Sequence, residues 1–293
     1  MSNSDITADQ AGTFRIGGDI EVNRLGYGAM QLTGEGVWKE PSNPDEAVRV
    51  LRRASELGVN FIDTADAYGP FTANRLIKEA LHPYNDDMTV ATKVGLTRAG
   101  PNDWRPVGRP EYLRQQVELN LMDLGLERID LMQLHRVDPE VPIADQVGEL
   151  KKMQEEGKIR HIGLSEVNTE QFKEAQKTAS IASVQNRYNL ANRESEEMLD
   201  YCTDNNIAFI PWFPLATGEL AQEGGPLAEL SKEHNAKPAQ LALAWLLKRS
   251  DVILPIPGTS TVSHLEDNIA AAGIKLSDEE FNTLTNAVKS SNS

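Results

Sequence analysis

Two kinds of hydrophobic pattern alternate along most of the chain. Residues 44–57 place apolar side chains three or four positions apart, begin with Pro44 and stop before Gly58. This pattern is typical of an amphipathic helix that starts at a proline and ends at a glycine. The next apolar run, residues 59–62, is too short for a helix and predicts a buried strand. A helix is therefore followed closely by a strand.

The same alternation continues to residue 272 and defines the predicted architecture. It contains eight strands, each followed by a helix. Strands that alternate with helices pair in parallel, and eight such units close into a (β/α)8 TIM barrel. The sequence therefore predicts an α/β protein with this fold. The predicted strands are 24–30, 59–62, 88–92, 129–134, 159–164, 183–184, 207–211 and 252–256, and the predicted helices are 44–57, 73–81, 110–124, 143–156, 170–179, 194–205, 238–248 and 262–272.

Two further predicted elements lie outside the eight units. Residues 14–22 alternate apolar and polar side chains around a Gly-Gly pair, which predicts an N-terminal β-hairpin. Ser277 and Glu280 have the spacing of a capping box, in which each side chain bonds the other residue's backbone. We therefore expect an extra C-terminal helix over residues 277–288.

The composition is that of an ordinary globular protein. Hydrophobic residues make up 40% of the chain, which is enough for a substantial core. No stretch is rich in Pro, Gly or Ser in the manner of a linker. We therefore expect residues 1–293 to form a single barrel domain, with residues 1–12 as a flexible tail.

Charge and cysteine content limit the partners that the chain can have. The net charge of −15 disfavours nucleic acid and anionic membranes, because both attract basic surfaces. No uncharged run reaches the ~20 apolar residues that cross a bilayer, and the polar N-terminus is unlike a signal peptide. The single cysteine, Cys202, permits no disulfide within the chain and fits a reducing compartment. We expect a soluble cytoplasmic protein without nucleic-acid or membrane partners.

Polar side chains occur at or just after the ends of the predicted strands. Asp63, Lys93 and His135 follow three successive strands, and Tyr68 comes soon after Asp63. The carboxyl ends of barrel strands share one rim, so these side chains should meet there. A tyrosine ionises near ~10, an ammonium from Lys93 would lower that pKa, and Asp63 could hold Lys93 in place. With His135 orienting a carbonyl group, this set suits protonation of a carbonyl oxygen by Tyr68.

A second set of strand-end residues suits a nicotinamide cofactor. Protonation of a carbonyl oxygen completes a reduction only if a hydride reaches the carbonyl carbon. Ser165 and Gln185 could hydrogen-bond the carboxamide of a nicotinamide, and Trp212 could stack on its ring. The cofactor would then carry the redox chemistry while the protein supplies orientation and electrostatics. These residues indicate a small carbonyl compound as the substrate.

Five segments together resemble the aldo-keto reductase superfamily. They occur in the order and approximate spacing of that family and extend over nearly the whole chain. The resemblance implies a barrel with an N-terminal hairpin, NAD(P)H-dependent carbonyl reduction, and a catalytic tetrad with Tyr68 as the general acid. The tetrad is Asp63, Tyr68, Lys93 and His135, and the segments are N-F-I-D-T-A-D-A-Y (60–68), Thr92-Lys93, Leu134-His135, H-I-G-L-S (161–165) and I-P-G-T-S (256–260).

The resemblance also implies which residues contact the cofactor. Glu166 stands where the family often has Asn, and Gly258 and His264 stand where many members carry cations for the 2′-phosphate of NADPH. Thr259, Ser260 and the N-terminus of the next helix offer another anion site. NADPH is therefore the expected cofactor, with NADH left open. The implied cofactor-binding residues are Ser165, Gln185, Trp212, Phe213, Pro214, Leu215, Gly258, Thr259, Ser260, His264 and Asn268.

The choice of substrate is less sharply indicated. Residues 26–32 and 211–215 resemble a bacterial branch that includes pyridoxal reductases, which points to a small aromatic aldehyde such as pyridoxal. Trp38 and Trp104 lie on rim loops, and each either walls the substrate pocket or merely packs its loop.

Other functions are compatible with some of these residues. The chain could be a cofactor-binding redox sensor or regulatory subunit with little turnover, or a lyase that forms a Schiff base through a free amine of Lys93.

The histidines lack the spacing of metal ligands, so no metal site is expected. Arg136 and Arg187 follow strand ends and either meet an anionic substrate or form structural salt bridges. A monomer or a small homo-oligomer is expected.

Overall fold

The computed structural model describes residues 6–215 and 226–291 and consists mainly of strands and helices in alternation. The strands are β1 (Thr13–Ile16), β2 (Ile20–Asn23), β3 (Tyr27–Gly28), β4 (Phe61–Asp63), β5 (Thr89–Val94), β6 (Leu96–Gly100), β7 (Asp103–Pro106), β8 (Ile129–Leu134), β9 (Ile159–Ser165), β10 (Ile181–Gln185) and β11 (Ala208–Phe209). The helices are α1 (Pro44–Glu56), α2 (Thr72–Leu81), α3 (Pro110–Leu124), α4 (Ile143–Glu155), α5 (Thr169–Gln176), α6 (Glu196–Asp204), α7 (Pro226–Glu233), α8 (Pro238–Arg249), α9 (Val262–Ala270) and α10 (Asp278–Ser291).

Seven parallel strands form one curled sheet in the order β3-β4-β5-β8-β9-β10-β11. The two edges of this sheet are joined by the segment that precedes α9. On one side, the Phe209 N–H donates to Val252 O at 2.9 Å and the Leu254 N–H donates to Phe209 O at 2.8 Å. On the other side, the Gly26 N–H donates to Pro255 O at 2.9 Å. The sheet therefore closes, and the predicted (β/α)8 barrel is confirmed.

The eighth predicted strand, 252–256, is shorter than expected. Only Ile253 forms a β-bridge, with Phe209. Pro255 and Pro257 have no N–H to donate, so a regular ladder cannot extend through them. The next residues approach β3 closely, since a Cβ on Gly28 would lie 2.7 Å from the Ile256 carbonyl oxygen. The absence of a side chain at position 28 therefore allows the closure.

The N-terminal hairpin closes one end of the barrel. β1 and β2 pair antiparallel as predicted, and their alternate side chains are buried. Asp19, in the turn between them, bonds two residues of β9. Its carboxylate accepts from Arg160 Nη2 at 2.9 Å and lies 2.5 Å from His161 Nε2. The hairpin thus covers the amino ends of the strands and leaves the carboxyl ends open.

Several local elements differ from the sequence predictions. The segment carrying Trp104, expected to be a loop, forms the antiparallel hairpin β6–β7, and α7 was not anticipated. The capping box is confirmed, because the Ser277 N–H donates to Glu280 Oε2 at 2.5 Å and the Glu280 N–H donates to Ser277 Oγ at 3.2 Å.

The segment expected to be a flexible tail contains a packed turn. Residues 8–11 form a 3-10 turn in which Ala8 and Ala11 are buried. The Ala8 N–H donates to the Leu57 carbonyl oxygen at 2.9 Å. Residues 1–5 lie outside the described residues. A single domain over residues 1–293 stays a prediction. Within the described chain, no helix is long and apolar enough to cross a membrane.

Arg24 connects the hairpin to the last helix–strand connection of the barrel. Arg24 is 7% exposed, and its guanidinium donates to Leu247 O at 2.7 Å, Ser250 O at 2.6 Å and Ile253 O at 3.3 Å. Carbonyl groups at the end of α8 have no partner within the helix, so a side-chain donor stabilises them.

We expect Arg24→Met to lower the free energy of unfolding by about 3 kcal/mol, because buried carbonyl oxygens lose a charged donor. Chemical denaturation measures this change. The matched control is Arg15→Met, whose exposed guanidinium bonds only Glu21 and which should cost at most about 0.5 kcal/mol. Equal effects of the two substitutions would contradict the role of Arg24.

Candidate active site

A buried ammonium group joins three of the four tetrad residues at the open end of the barrel. Lys93 is 0% exposed and lies near the end of β5. Its Nζ donates to Asp63 Oδ2 at 2.5 Å, to the Thr64 carbonyl oxygen at 2.9 Å and to Tyr68 Oη at 3.3 Å. An ammonium has three N–H bonds, so all of them are engaged. Lys93 therefore has one defined position and charge environment.

The second oxygen of Asp63 is held by two amides. Asp63 Oδ1 accepts from Gln133 Nε2 at 3.0 Å and from Gln185 Nε2 at 2.8 Å. Gln133 is fully buried and was not predicted as a site residue. The available signal was its position two residues before His135, since alternate residues of a strand share a face. The carboxylate is thus fixed on both sides.

Burial and neighbouring charges shift the pKa values of the tetrad. Burial by itself would lower the pKa of Lys93, but the charge of Asp63, followed by Tyr68, outweighs it and leaves this pKa raised. Lys93 is therefore an ammonium and lacks the free amine that a Schiff-base lyase would need. Burial raises the pKa of Tyr68, and Lys93 offsets this only in part. The expected lowering by Lys93 is thus present, but burial outweighs it and leaves the pKa of Tyr68 raised.

His135 has the electrostatics of a neutral imidazole. Burial, and then the positive charges of Lys93 and Arg136, lower its pKa well below the usual value. Its ring lies 6.0 Å from the Tyr68 ring, and its Nδ1 has no hydrogen-bond partner among the described residues. His135 can therefore offer one N–H donor to a ligand without carrying a charge.

Asp63, Tyr68 and His135 of the tetrad line a cavity of about 710 Å³ at the carboxyl ends of the strands, whereas Lys93 is buried behind its wall. Trp104 of β7 covers the tetrad from one side, with its ring edge-on to Tyr68 at 6.4 Å and to His135 at 6.3 Å. Most of the wall is apolar, which suits an organic ligand with a few fixed polar contacts. The lining residues that the sequence had indicated are Asp63, Tyr68, Trp104, His135, Ser165, Gln185, Trp212, Phe213, Pro214, Leu215 and Gly258.

The remaining predicted site residues lie outside this cavity. Thr259 and Asn268 are buried, whereas Ser260 and His264 are exposed near the start of α9. Asn268 Nδ2 has no hydrogen-bond partner in the described part of the chain. Trp38 is not among the lining residues and instead faces Arg98.

Glu166 holds the predicted stacking residue in place. Its Oε1 accepts from Trp212 Nε1 at 2.5 Å and from the Arg187 N–H at 2.7 Å. The backbone of Glu166 has a φ of +55°, a conformation that Asn adopts more readily than Glu. The carboxylate therefore fixes the indole of Trp212.

A second carboxylate lies at the N-terminus of α9, where we expected an open anion site. Glu46 Oε1 accepts from the Val262 N–H at 3.3 Å, and Glu46 also pairs with Arg49. Glu46 belongs to α1, far from Val262 in sequence, so no local pattern indicated this contact. One N–H group of this helix N-terminus is therefore already bonded to a side chain of the protein.

Arg98 organises the loops around Trp104. It is 9% exposed, and its guanidinium lies 3.6 Å from the centre of the Trp104 ring and 5.6 Å from that of Trp38. A guanidinium has five donors in a rigid plane, and here they reach carbonyl groups of three separate loops. The acceptors are the carbonyl oxygens of Gly36, Val37, Ala67, Gly100 and Asp103.

The side chains of the described residues are not grouped as metal ligands. Across residues 6–215 and 226–291, no group of three or more His, Cys, Asp or Glu residues could hold a metal ion.

Comparison with known proteins identifies close relatives over the full fold. The sequence model of the Aldo/keto reductase family matches residues 24–289. An uncharacterized oxidoreductase of Schizosaccharomyces pombe is 51% identical over 289 residues, which is 99% of this chain and 94% of that protein. Pyridoxine 4-dehydrogenase of Escherichia coli is 45% identical over 278 residues, which is 93% of this chain and 96% of that protein.

Solved structures also match the fold of this chain. A glycerol dehydrogenase from Gluconobacter oxydans superimposes with a TM-score of 0.86 at 26% identity, covering 96% of each chain. An aldo-keto reductase from Klebsiella pneumoniae, in complex with NADPH, superimposes with a TM-score of 0.80 at 27% identity, covering 93% of each chain.

We expect Arg98→Met to loosen the β6–β7 hairpin, because five carbonyl groups lose a charged donor. The free energy of local opening should fall by about 2 kcal/mol or more, seen as faster amide hydrogen exchange in residues 96–106. Arg105→Met is the matched control, since this exposed side chain of the same hairpin pairs only with Asp103. Unchanged exchange in Arg98→Met would contradict the organising role.

Proposed function

The chain belongs to the aldo/keto reductase family of oxidoreductases, and from this premise we propose that it reduces a small aldehyde or ketone to an alcohol with a nicotinamide cofactor. One observation carries the proposal. Tyr68, on the cavity wall, receives a hydrogen bond from a buried ammonium that is itself anchored to a carboxylate. This arrangement suits delivery of a proton to a carbonyl oxygen.

Tyr68 is the proposed general acid. The ammonium of Lys93 can only donate, so Tyr68 Oη accepts at 3.3 Å and its own proton remains for another acceptor. Burial keeps the phenol protonated at neutral pH. Once the proton has moved to the substrate oxygen, Lys93 stabilises the phenolate that is left. Such acid catalysis contributes about 10²–10⁴-fold to the rate.

His135 is proposed to orient the carbonyl group. A neutral imidazole has one N–H donor and one acceptor nitrogen. Donation from His135 and from Tyr68 to the same oxygen would place both lone pairs of that oxygen in fixed directions. This preorganised pair stabilises the negative charge that develops on the oxygen during reduction.

The hydrogen-bond directions around Ser165 and Gln185 fit a nicotinamide carboxamide. Arg136 Nη1 donates to Ser165 Oγ at 3.1 Å, so the serine proton is free to donate. Gln185 Nε2 donates to Asp63 and to Gln133, so Gln185 Oε1 is the atom that can accept. A carboxamide needs one donor for its oxygen and an acceptor for its NH₂ group.

Trp212 is the proposed stacking surface for the nicotinamide ring, held by its hydrogen bond to Glu166. The bound cofactor would supply the hydride for the carbonyl carbon. Phe213, Pro214, Leu215 and Gly258 continue the wall on which the cofactor would lie.

We propose NADPH as the preferred cofactor. Arg49 is the charged partner of Glu46 at the start of α9, and its side chain is largely exposed. It can supply the positive charge for a 2′-phosphate that Gly258 and His264 do not provide. The Klebsiella pneumoniae relatives were solved with NADPH and with NADP, which supports this preference.

The proposed substrates are small aromatic aldehydes of the pyridoxal type. The Escherichia coli relative at 45% identity is a pyridoxine 4-dehydrogenase. The cavity is apolar over most of its wall and has the indole of Trp104 beside the tetrad. An aromatic ring can pack against this indole while its formyl group reaches Tyr68.

We expect Tyr68→Phe to lose about 10²–10⁴-fold in kcat for pyridoxal reduction while keeping its affinity for NADPH, because only the proton donor is removed. Turnover is followed by the absorbance of reduced nicotinamide, and cofactor binding by quenching of tryptophan fluorescence. Tyr201→Phe is the control, since Tyr201 bonds Gln176 outside the cavity. Full activity in Tyr68→Phe would refute the acid role.

Cofactor preference should depend on the charges at the start of α9. We expect Arg49→Gln to lower the NADPH-to-NADH ratio of kcat/KM by about fivefold, and Glu46→Gln to raise it by a similar factor, because the 2′-phosphate is an anion. Arg52→Gln removes another exposed guanidinium of α1, bonded to Ala80 O, and should leave the ratio unchanged. Identical ratios in all three variants would locate the phosphate elsewhere.

A further inference from the structure

Arg136 is a partly buried cation in the wall of the cavity, and no carboxylate in the described part of the chain forms an ion pair with it. Its hydrogen bonds both come from one nitrogen. Nη1 donates to the His135 carbonyl oxygen at 2.6 Å and to Ser165 Oγ at 3.1 Å. The structural salt bridge that the sequence left open for this residue is therefore not formed.

The rest of the guanidinium remains available for a ligand. A guanidinium carries five N–H donors, and two N–H groups can lie parallel to bind both oxygens of a carboxylate. Nε and Nη2 of Arg136 donate to none of the described residues. A desolvated charge without a counter-charge is costly, and burial accordingly lowers the pKa of Arg136 while Glu166 raises it from beyond ion-pair distance. An anion in the cavity would relieve this cost.

The other charges of the cavity do not compete for such an anion. Asp63 is compensated by Lys93, and His135 is neutral. The uncompensated charge in the cavity lining is thus that of Arg136, with Glu166 outside the lining, although the whole chain has a net charge of −15. The composition of the chain therefore gives no indication of the sign of charge that the cavity prefers.

The position of Arg136 relates this positive charge to the reacting carbonyl. It directly follows His135, and its charge lowers the pKa of Tyr68. Its Nη1 contacts Ser165, the hydroxyl that the proposed function assigns to the carboxamide. The carboxamide is attached to the ring carbon next to the one that transfers hydride. An anionic group bound to Arg136 would therefore be close to the carbonyl carbon that is reduced.

We propose that Arg136 binds an anionic group carried at the ring position ortho to the reacting carbonyl group, so that the favoured substrates are aromatic aldehydes and ketones with an ortho carboxylate or ionised phenol. This inference rests on the proposed function, because it places the anion relative to the reacting carbonyl. It adds a substrate class: a carbonyl compound with an anion at short range, in place of any small aromatic aldehyde.

The test compares pairs of substrates in which a methyl group removes the negative charge. One pair is 2-carboxybenzaldehyde and its methyl ester, and the other is 2-hydroxybenzaldehyde and 2-methoxybenzaldehyde at a pH where the phenol is ionised. We expect the wild-type protein to favour the anionic member of each pair in kcat/KM. The two pairs separate a carboxylate preference from a phenolate preference.

Arg136→Gln should lower this preference by about 10- to 100-fold, because a charge-assisted pair is lost. Arg136→Lys should retain a smaller preference, since an ammonium lacks the planar fork. The ratio within a pair is the decisive readout. If Arg136 acted only by orienting Ser165, cofactor binding would change and both members of a pair would slow equally, which would overturn the inference.

Arg187→Gln is the matched control for long-range charge. Arg187 is exposed at the same rim, lies 5.9 Å from the centre of the Trp212 ring, and is not part of the cavity wall. Its loss removes the same charge but should leave the ratio within each pair unchanged. An equal loss of preference in both arginine variants would mean that the general field of the rim, and not Arg136, selects the anion.

A binding measurement keeps the inference testable if none of these aldehydes is turned over. Benzoate and methyl benzoate are titrated calorimetrically into the protein saturated with NADPH. Benzoate should bind more tightly than the ester to the wild type, and Arg136→Gln should remove this difference. Absence of turnover would count against the proposed function, whereas equal binding of benzoate and its ester would refute the anion site itself.

Discussion

The burial of the Lys93 ammonium is the constraint on which the candidate site depends. Taking the Lys93–Asp63 pair out of water costs several kcal/mol per charge unless every donor and acceptor is satisfied. The three N–H groups of Lys93 and both oxygens of Asp63 are all engaged. Because one of these partners is Tyr68, the same network that permits burial also holds the proposed acid against a positive charge.

The network sets the direction of hydrogen bonds as well as their number. An ammonium and a guanidinium can only donate, so the hydroxyl groups of Tyr68 and Ser165 must accept from Lys93 and Arg136. Their protons are then directed elsewhere. Gln185 instead offers an acceptor. Its NH₂ group donates to Asp63, so its side-chain oxygen is left to accept a hydrogen bond. The proposed cofactor and substrate would thus meet a prearranged pattern of donors and acceptors.

Features that rest on local sequence were predictable. Helical and strand periodicity indicated the barrel, and the polar residues at strand ends indicated one rim, since parallel strands end together. Asp63, Lys93 and His135 were found in this way, as was the capping box at Ser277. Features that rest on distant partners were not. The β6–β7 hairpin depends on Arg98 and its acceptors in other loops, and the contact of Glu46 with the start of α9 joins opposite ends of the chain.

The sequence by itself determined the fold class and the family and predicted the reacting groups, because periodicity and motif spacing are local properties. Only the tertiary structure decided what surrounds those groups. Burial outweighs the effect of Lys93 and raises the pKa of Tyr68, and Gln133 of β8 bonds Asp63 of β4 across the intervening strand β5. Arg136 has no carboxylate partner among the described residues, although the chain is acidic as a whole. Solvent exclusion and charge pairing depend on residues that are close in space but distant in sequence. Local sequence patterns do not identify such neighbours.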